Sequence, residues 1–342
     1  MLKKVLITLA IIALLVVLSA AALLHRTVFA PLFEPERTTF IYIDRDDTPD
    51  SVITQLNHAA YPRNLWGMRL LMRYRHYDER MRTGRYAVRP GESAYDVFCR
   101  ILRGYQEPMN LTVGSTRSLG ALARHVARQI MIDSTEVAHA LHDSLTIARL
   151  GYSPQTLPAL FIPNTYQVYW DLSADDLLNR MLTEHERWWT TERQQRANEL
   201  GLTPLDVSTL ASIVEEETNL PDEKPIVAGL YLNRLRRGML LQADPTVKFA
   251  NGDPTLRRIT YDLLTIDSPY NTYLYPGLPP GPIRIPSPEG LLAVLHAKEH
   301  NFLYMCARED LSGAHRFAAT LAEHNRNAAR YRAALNARRI YK

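Results

Sequence analysis

Residues 84–106 read GRYAVRPGESAYDVFCRILRGYQ. Tyr86-Ala87-Val88 has the aromatic and β-branched character of a strand. Pro90-Gly91-Glu92-Ser93 follows as a turn, since Pro and Gly punctuate local structure. Ser93 is placed to cap a helix, and Val97, Phe98, Ile101 and Leu102 fall on one face of it. Gly104 ends that helix, because glycine enters the left-handed region freely. A strand, a turn and a capped amphipathic helix in so short a stretch predict a mixed unit, and its partners lie just upstream. Residues 38–43, Thr-Thr-Phe-Ile-Tyr-Ile, read as a second strand. Asp47-Thr48-Pro49-Asp50 reads as a helix start with Pro just inside the cap. That helix carries Val52, Ile53 and Leu56, and residues 65–76 supply another helix. Residues 39–106 are therefore expected as a strand–helix–helix–strand–helix subdomain.

Upstream, residues 25–38 contain Pro31 and Pro35 with mixed charge and read as a tether. Residues 5–24, VLITLAIIALLVVLSAAALL, carry no charge and no proline. A helix of that length matches a hydrocarbon core of about 30 Å. The run exceeds the apolar region of a usual signal peptide and reads as a retained anchor, despite the small residues near Ser19-Ala20-Ala21. Lys3 and Lys4 precede it, which puts residues 1–4 in the cytoplasm and the bulk of the chain outside. The formal charge of +4 comes without a basic block interleaved with aromatics, so no nucleic-acid partner is expected. Cys99 and Cys306 are far apart in apolar surroundings, and either a disulfide or two buried thiols fits them.

Downstream, residues 107–342 read as a mainly helical domain with long loops, giving an α+β chain overall. The loop at 160–170, Leu-Phe-Ile-Pro-Asn-Thr-Tyr-Gln-Val-Tyr-Trp, has the aromatic, amide and hydroxyl groups that suit sugar binding, with Tyr166 as the candidate. A loop contributing to the core has the same composition. Residues 207–218 are expected to form a helix, with Asp206 or Ser208 as its cap. Leu210, Ile213 and Val214 lie seven, four and three residues before Glu217, so Glu217 continues the apolar stripe. Glu215 lies about 200° and Glu216 about 100° from Glu217 around the helix, which predicts two solvated carboxylates. Desolvation and the helix C-terminus both disfavour a Glu217 anion. A carboxyl that stays protonated near neutral pH is a general acid for a glycosidic oxygen. Three later loop segments are long and rich in Pro, Gly, amides and tyrosines, as functional loops are. They are Leu241–Val247, Ser268–Tyr273 and Pro276–Ile283.

The combination resembles the YceG-like family of endolytic murein transglycosylases. The resemblance rests on the anchor, GRYAVRPGES, FIPNTY, LASIVEEET, LYLNRLRRGMLLQADPTV, DSPYNTYLYPGLPPGPI and GAHRF with AEHN. It implies that residues 39–106 are a LysM-like subdomain, whose relatives bind N-acetylglucosamine glycans, and that residues 107–342 are the catalytic domain. It implies non-hydrolytic cleavage of the β-1,4 bond between N-acetylmuramic acid and N-acetylglucosamine, leaving a 1,6-anhydro end and terminating glycan elongation. Glu217 is the family's catalytic position, directly before the Thr of its I-V-E-x-E-T segment. Gln242, Asp244, Thr246, Tyr270, Asn271, Tyr273 and Tyr166 are the substrate-binding candidates. Neither cofactor nor metal is implied. The partners it implies are peptidoglycan strands, the bacterial inner membrane through one helix, and peptidoglycan synthases. The chain departs from the family pattern at Asn164, where Asp is usual, and at Thr112-Val113-Gly114-Ser115, which lacks the usual glutamate. Two other readings remain open. One is a membrane-anchored glycan-binding scaffold without activity. The other is a zinc peptidase, because His296-Ala297-Lys298-Glu299-His300 matches H-x-x-E-H, with Glu323 or His324 as a third ligand.

Overall fold

The computed structural model describes residues 1–253, 256 and 259–338. Helix α1 spans Leu2–Leu24 and ends in a π-helical turn, His25–Phe29. It is long and apolar enough to cross a membrane, with a mean hydropathy of 2.9, and its side chains are exposed along the span. The remainder is mixed, mostly helical with short antiparallel strand pairs, and divides into two compact units.

The first unit comprises residues 1–111, 129–132 and 166–172. Its elements after α1 are β1 (Thr39–Ile43), α2 (Pro49–Ala60), α3 (Trp66–Tyr74), β2 (Gly84–Val88) and α4 (Ala94–Arg103). The order is the one the sequence predicts. Strands β1 and β2 pair antiparallel, with Thr39 opposite Val88 and Ile43 opposite Gly84. Both main helices begin in capping boxes. Thr48 pairs with Ser51 at the start of α2, and Ser93 with Asp96 at the start of α4; each satisfies backbone N–H groups that a helix start leaves open. Gly104 closes α4 at φ 72°. Ile41, Ile43, Val52, Leu56, Tyr86, Val97, Phe98 and Ile101 meet in one core. The segment expected as a tether joins that core. Leu32 and Phe33 are buried in it, and their N–H groups donate to the Glu92 carbonyl at 2.9 and 3.1 Å. Two adjacent large apolar side chains outweigh the Pro content that marks the stretch as a linker.

Strand β3 (Met109–Val113) pairs with β4 (Asn164–Val168). The second unit comprises residues 112–128, 133–165 and 173–342. It contains α5 (Leu119–Ala127), α6 (Ser134–His142), α7 (Ser144–Arg149), α8 (Ala174–Trp188) and α9 (Thr191–Glu199). Then come α10 (Pro204–Glu217), α11 (Lys224–Arg236), α12 (Asp244–Asn251) and α13 (Pro288–Leu295). The hairpin β5 (Tyr304–Ala307) and β6 (His315–Ala318), and α14 (Leu321–Ala337), complete it. Helix α10 is the centre, packed against α9, α11, α12 and α13. It starts three residues earlier than expected. Pro204 takes the first helical position, where its missing N–H costs nothing, and Thr203 is the cap. Asp206, expected as a cap, is the return partner of Thr203 in a capping box, and Ser208 donates to the Pro204 carbonyl at 3.0 Å.

Cys99 and Cys306 are free thiols. The stretch 160–170, expected as a loop, contains strand β4 and contributes mainly packing. Leu160, Phe161, Ile162 and Tyr166 are buried, while Tyr169 is exposed.

Candidate active site

The site grows from the end of α10. Every residue from Val207 to Glu215 is buried, so this helix has no solvent face. The expected pair of solvated glutamates is therefore corrected. Glu215 is buried, and its carboxylate accepts from Ser287 N at 3.1 Å and from the Ser287 hydroxyl. Lys224 Nζ lies 3.9 Å and Arg284 Nε 3.7 Å from it. Ser287 caps α13, so Glu215 ties that cap to α10. Gly290 makes the approach possible, since a Cβ there would stand 2.7 Å from the Glu215 carboxyl. Glu216 sits between two guanidinium groups, at 2.9 Å from Arg117 Nε and 2.8 Å from Arg284 Nη1.

Glu216 also borders a hollow with Arg117 and Lys248, whereas Glu217 lines a separate cavity of about 230 Å³. Its accessible edge faces this cavity, while protein encloses the carboxyl on its other sides. That enclosure pushes its pKa up from 4.5 to about 7, because the anion loses hydration. The nearby Asp244 charge acts in the same direction. Opposing them, the Tyr231 hydroxyl donates to Glu217 Oε1 at 2.7 Å, Lys248 favours the anion, and His315 does so only when its ring carries a second proton. Burial and the Glu217 charge hold the Tyr231 phenol far above its ordinary value, so it remains a donor. Tyr273, raised chiefly by burial, donates to Asp244 Oδ1 at 2.6 Å.

Arg234 forms the floor. It is buried, and it donates to the carbonyls of Leu303 at 2.6 Å, Leu240 at 3.1 Å and Leu241 at 2.9 Å. It also reaches Gln242 Oε1 at 3.3 Å. Gln242 has φ 49°, unusual for a residue with a Cβ. Its N–H donates to the Thr272 carbonyl at 3.0 Å, which fixes this turn at the cavity wall.

Of the residues expected at the site, Glu217, Gln242, Asp244 and Tyr273 line one cavity. Thr246 and Asn271 lie behind it, fully buried. Thr246 Oγ1 bonds the Ala243 carbonyl at 2.7 Å and Thr272 Oγ1 at 2.9 Å. Asn271 Nδ2 donates to the carbonyls of Leu264 and Ile266 at 2.9 Å each, and its Oδ1 accepts from Tyr273 N at 3.0 Å. Thr246 braces the start of α12, which presents Asp244, and Asn271 braces the loop that presents Tyr273. Tyr270 packs at a tilt against Phe249 with centroids 4.6 Å apart and lines a neighbouring hollow. Tyr166 is buried in the first unit and lines none of this cavity. Sequence reasoning missed Tyr231, Arg234 and His315. The first two sit three residues apart within LYLNRLRRG, a spacing that shares a helix face, but nothing in the sequence aims that face at Glu217.

The H-x-x-E-H segment does not form a helical ligand pair. Helix α13 ends at Leu295, one residue before His296. His300 spends both ring nitrogens on backbone, Nε2 on the Ile226 carbonyl at 2.9 Å and Nδ1 on Phe302 N at 3.1 Å. Among the described residues no group of His, Cys, Asp and Glu is arranged to hold a metal ion.

The sequence profile of the YceG-like family matches residues 41–330. The chain belongs to the YceG-like family. The endolytic murein transglycosylase of Bacillus subtilis is 35% identical over 162 residues, which cover 47% of this chain and 44% of that protein. The endolytic murein transglycosylase of Streptococcus pneumoniae (strain D39) is 25% identical over 294 residues, covering 76% of this chain and 52% of that protein. This YceG-like chain thus spans about half the length of the curated relatives it matches. A yceG-like protein from Listeria monocytogenes shares the fold, with a TM-score of 0.56 at 24% identity, over 85% of this chain and 99% of that one.

Proposed function

We propose that this chain is a membrane-anchored endolytic murein transglycosylase that cleaves peptidoglycan strands without water, with Glu217 as its catalytic acid and base. The observation that carries this reading is a carboxyl with a pKa near 7 facing a cavity lined by Tyr231, Tyr273, Asp244 and Gln242. Glu217 protonates the O4 leaving group of the bond between N-acetylmuramic acid and N-acetylglucosamine. The resulting carboxylate then takes the proton from the muramyl C6 hydroxyl as that oxygen attacks C1. The nucleophile belongs to the substrate, so high effective molarity replaces the second carboxylate of most glycosidases. The cavity is below the usual range of about 300–1,000 Å³ for small-ligand pockets, which suits one ring of a polymer rather than a whole ligand. Helix α1 holds the enzyme in the bacterial inner membrane with the two units in the periplasm, where strand cleavage terminates elongation beside peptidoglycan synthases. The LysM-like role of residues 39–106 belongs to the same reading.

Mass analysis of a digest of purified peptidoglycan tests it. Transglycosylation yields muramyl ends lighter by one water than those of a hydrolase. Reducing muramyl ends, or intact strands, overturn the reading.

The acid role also fixes a pH profile. The protonated form acts first, so kcat/KM falls as pH rises through about 7, the pKa of Glu217. The Tyr231 hydroxyl lowers that pKa. Tyr231→Phe removes the bond and is expected to move the alkaline limb upward by about one pH unit. An unmoved limb in a pH–rate series would show that Tyr231 does not set the acidity of Glu217.

A further inference from the structure

Residues 313–317, the GAHRF segment, have no part in the mechanism above, yet they bring His315 to the wall of the Glu217 cavity. A dedicated carboxylate fixes that ring. Glu223 stands at the start of α11 and accepts from three donors. They are Thr218 Oγ1 at 3.1 Å, His315 N at 2.8 Å and His315 Nδ1 at 2.9 Å. The side chains of Glu223 and His315 are 12% and 16% exposed, so water competes little for these bonds. Thr218 is buried and directly follows Glu217. One carboxylate therefore locks the residue beside the acid to the strand β6 that faces it.

The tautomer follows from this geometry. A carboxylate only accepts, so Nδ1 carries the hydrogen. In the neutral ring Nε2 is then a lone-pair acceptor. Among the described residues Nε2 has no protein partner. Several other polar side chains of the cavity already hold partners: Tyr231 donates to Glu217, Tyr273 to Asp244, and Arg234 to three backbone carbonyls and Gln242. Sugar hydroxyls and acetamido N–H groups are donors, and they need an acceptor held in place.

We propose that His315 is a second substrate-contacting residue, its Nε2 accepting a hydrogen bond from a hydroxyl or amide N–H of the sugar beside Glu217. Glu223 and Thr218 act through it as positioning residues. The proposal rests on the glycan-cleaving reading of this site and assigns the site a specificity element: a donor on the sugar ring is required at that point.

The test uses the full chain in detergent with purified peptidoglycan sacculi. In His315→Asn the shorter amide stands where Nδ1 was and keeps the bond to Glu223, while the Nε2 acceptor is lost. The thermal midpoint is expected to stay at the parent value while KM rises about tenfold and kcat changes less. Co-sedimentation with sacculi in a Glu217→Gln background reads binding without turnover, and His315→Asn is expected to weaken it by a similar factor. Parent-like KM and sedimentation for His315→Asn overturn the proposal. If His315→Asn melts early, His315→Gln decides, because it loses the Glu223 bond but carries an acceptor to the Nε2 position. Tighter sedimentation than His315→Ala at equal stability supports the role, and equal sedimentation overturns it. Absence of anhydro ends from the parent protein sinks the lytic reading separately, while sedimentation still decides on His315.

Discussion

Glu217→Gln is expected to reduce release of anhydro-muropeptides from peptidoglycan by about a thousandfold or more. One positioned acid or base contributes about 10²–10⁴ in rate. Here one carboxyl serves both proton transfers, and the described cavity wall offers only Asp244 as another carboxyl, which is bonded to Tyr273. The amide keeps a carbonyl oxygen for the Tyr231 hydroxyl, so the geometry that Tyr231 imposes on this side chain survives. The loss is thus expected in kcat with little change in sacculus binding. Glu215→Gln and Glu216→Gln are the controls. Those carboxylates serve Ser287, Lys224 and Arg284, or Arg117 and Arg284, and face no part of the cavity. A Glu217→Gln protein within tenfold of the parent would remove Glu217 from the chemistry.

The contrast within this triplet shows what the sequence could reveal. Features set by a few neighbouring residues were legible: the Thr48 and Ser93 caps, the Gly104 stop, the strands flanking α2 and α3, and the apolar run of α1. Helical phase singled out Glu217, and Glu217 is the glutamate that lines the cavity. Phase assumes that a helix has one buried stripe and one wet face, whereas α10 is surrounded by four other helices. Glu215 therefore faces Ser287 and Gly290 of a segment some seventy residues away rather than water. Tyr231 and His315 were hidden for the same reason. Their approach to Glu217 depends on how α11 and the β5–β6 hairpin pack, which no local spacing encodes. Thr246 and Asn271 show a structural use that residue type alone does not announce. Polar residues in a Pro- and Gly-rich stretch look like ligand contacts, but buried backbone must also be satisfied, at the start of α12 for Thr246 and in the loop before Tyr273 for Asn271. These two do that work.

The second large effect is on stability, and it changes with pH. Glu217 has its pKa raised from 4.5 to about 7 in the folded chain. Below pH 4.5 folded and unfolded chains both hold the proton, and the site has no effect on their balance. Between 4.5 and about 7 the unfolded chain releases the proton while the folded chain keeps it. The unfolded state then binds fewer protons, so stability falls as pH rises. Above about 7 both are ionised and the loss levels off, at about 3 kcal/mol when each pH unit is worth about 1.4 kcal/mol. Glutamine carries no such term. Urea unfolding of the second unit is therefore expected to give similar midpoints for parent and Glu217→Gln at pH 4, and a higher midpoint for Glu217→Gln at pH 8. The variant that loses catalysis gains stability at the pH where the parent carboxyl must ionise inside its enclosure. That sign separates an acid strained by burial from a carboxylate stabilised by its neighbours, for which removal would weaken the fold at pH 8. A midpoint difference that stays constant between pH 4 and pH 8 would show that burial does not raise the acidity constant of Glu217, and the general-acid role would lose its physical basis.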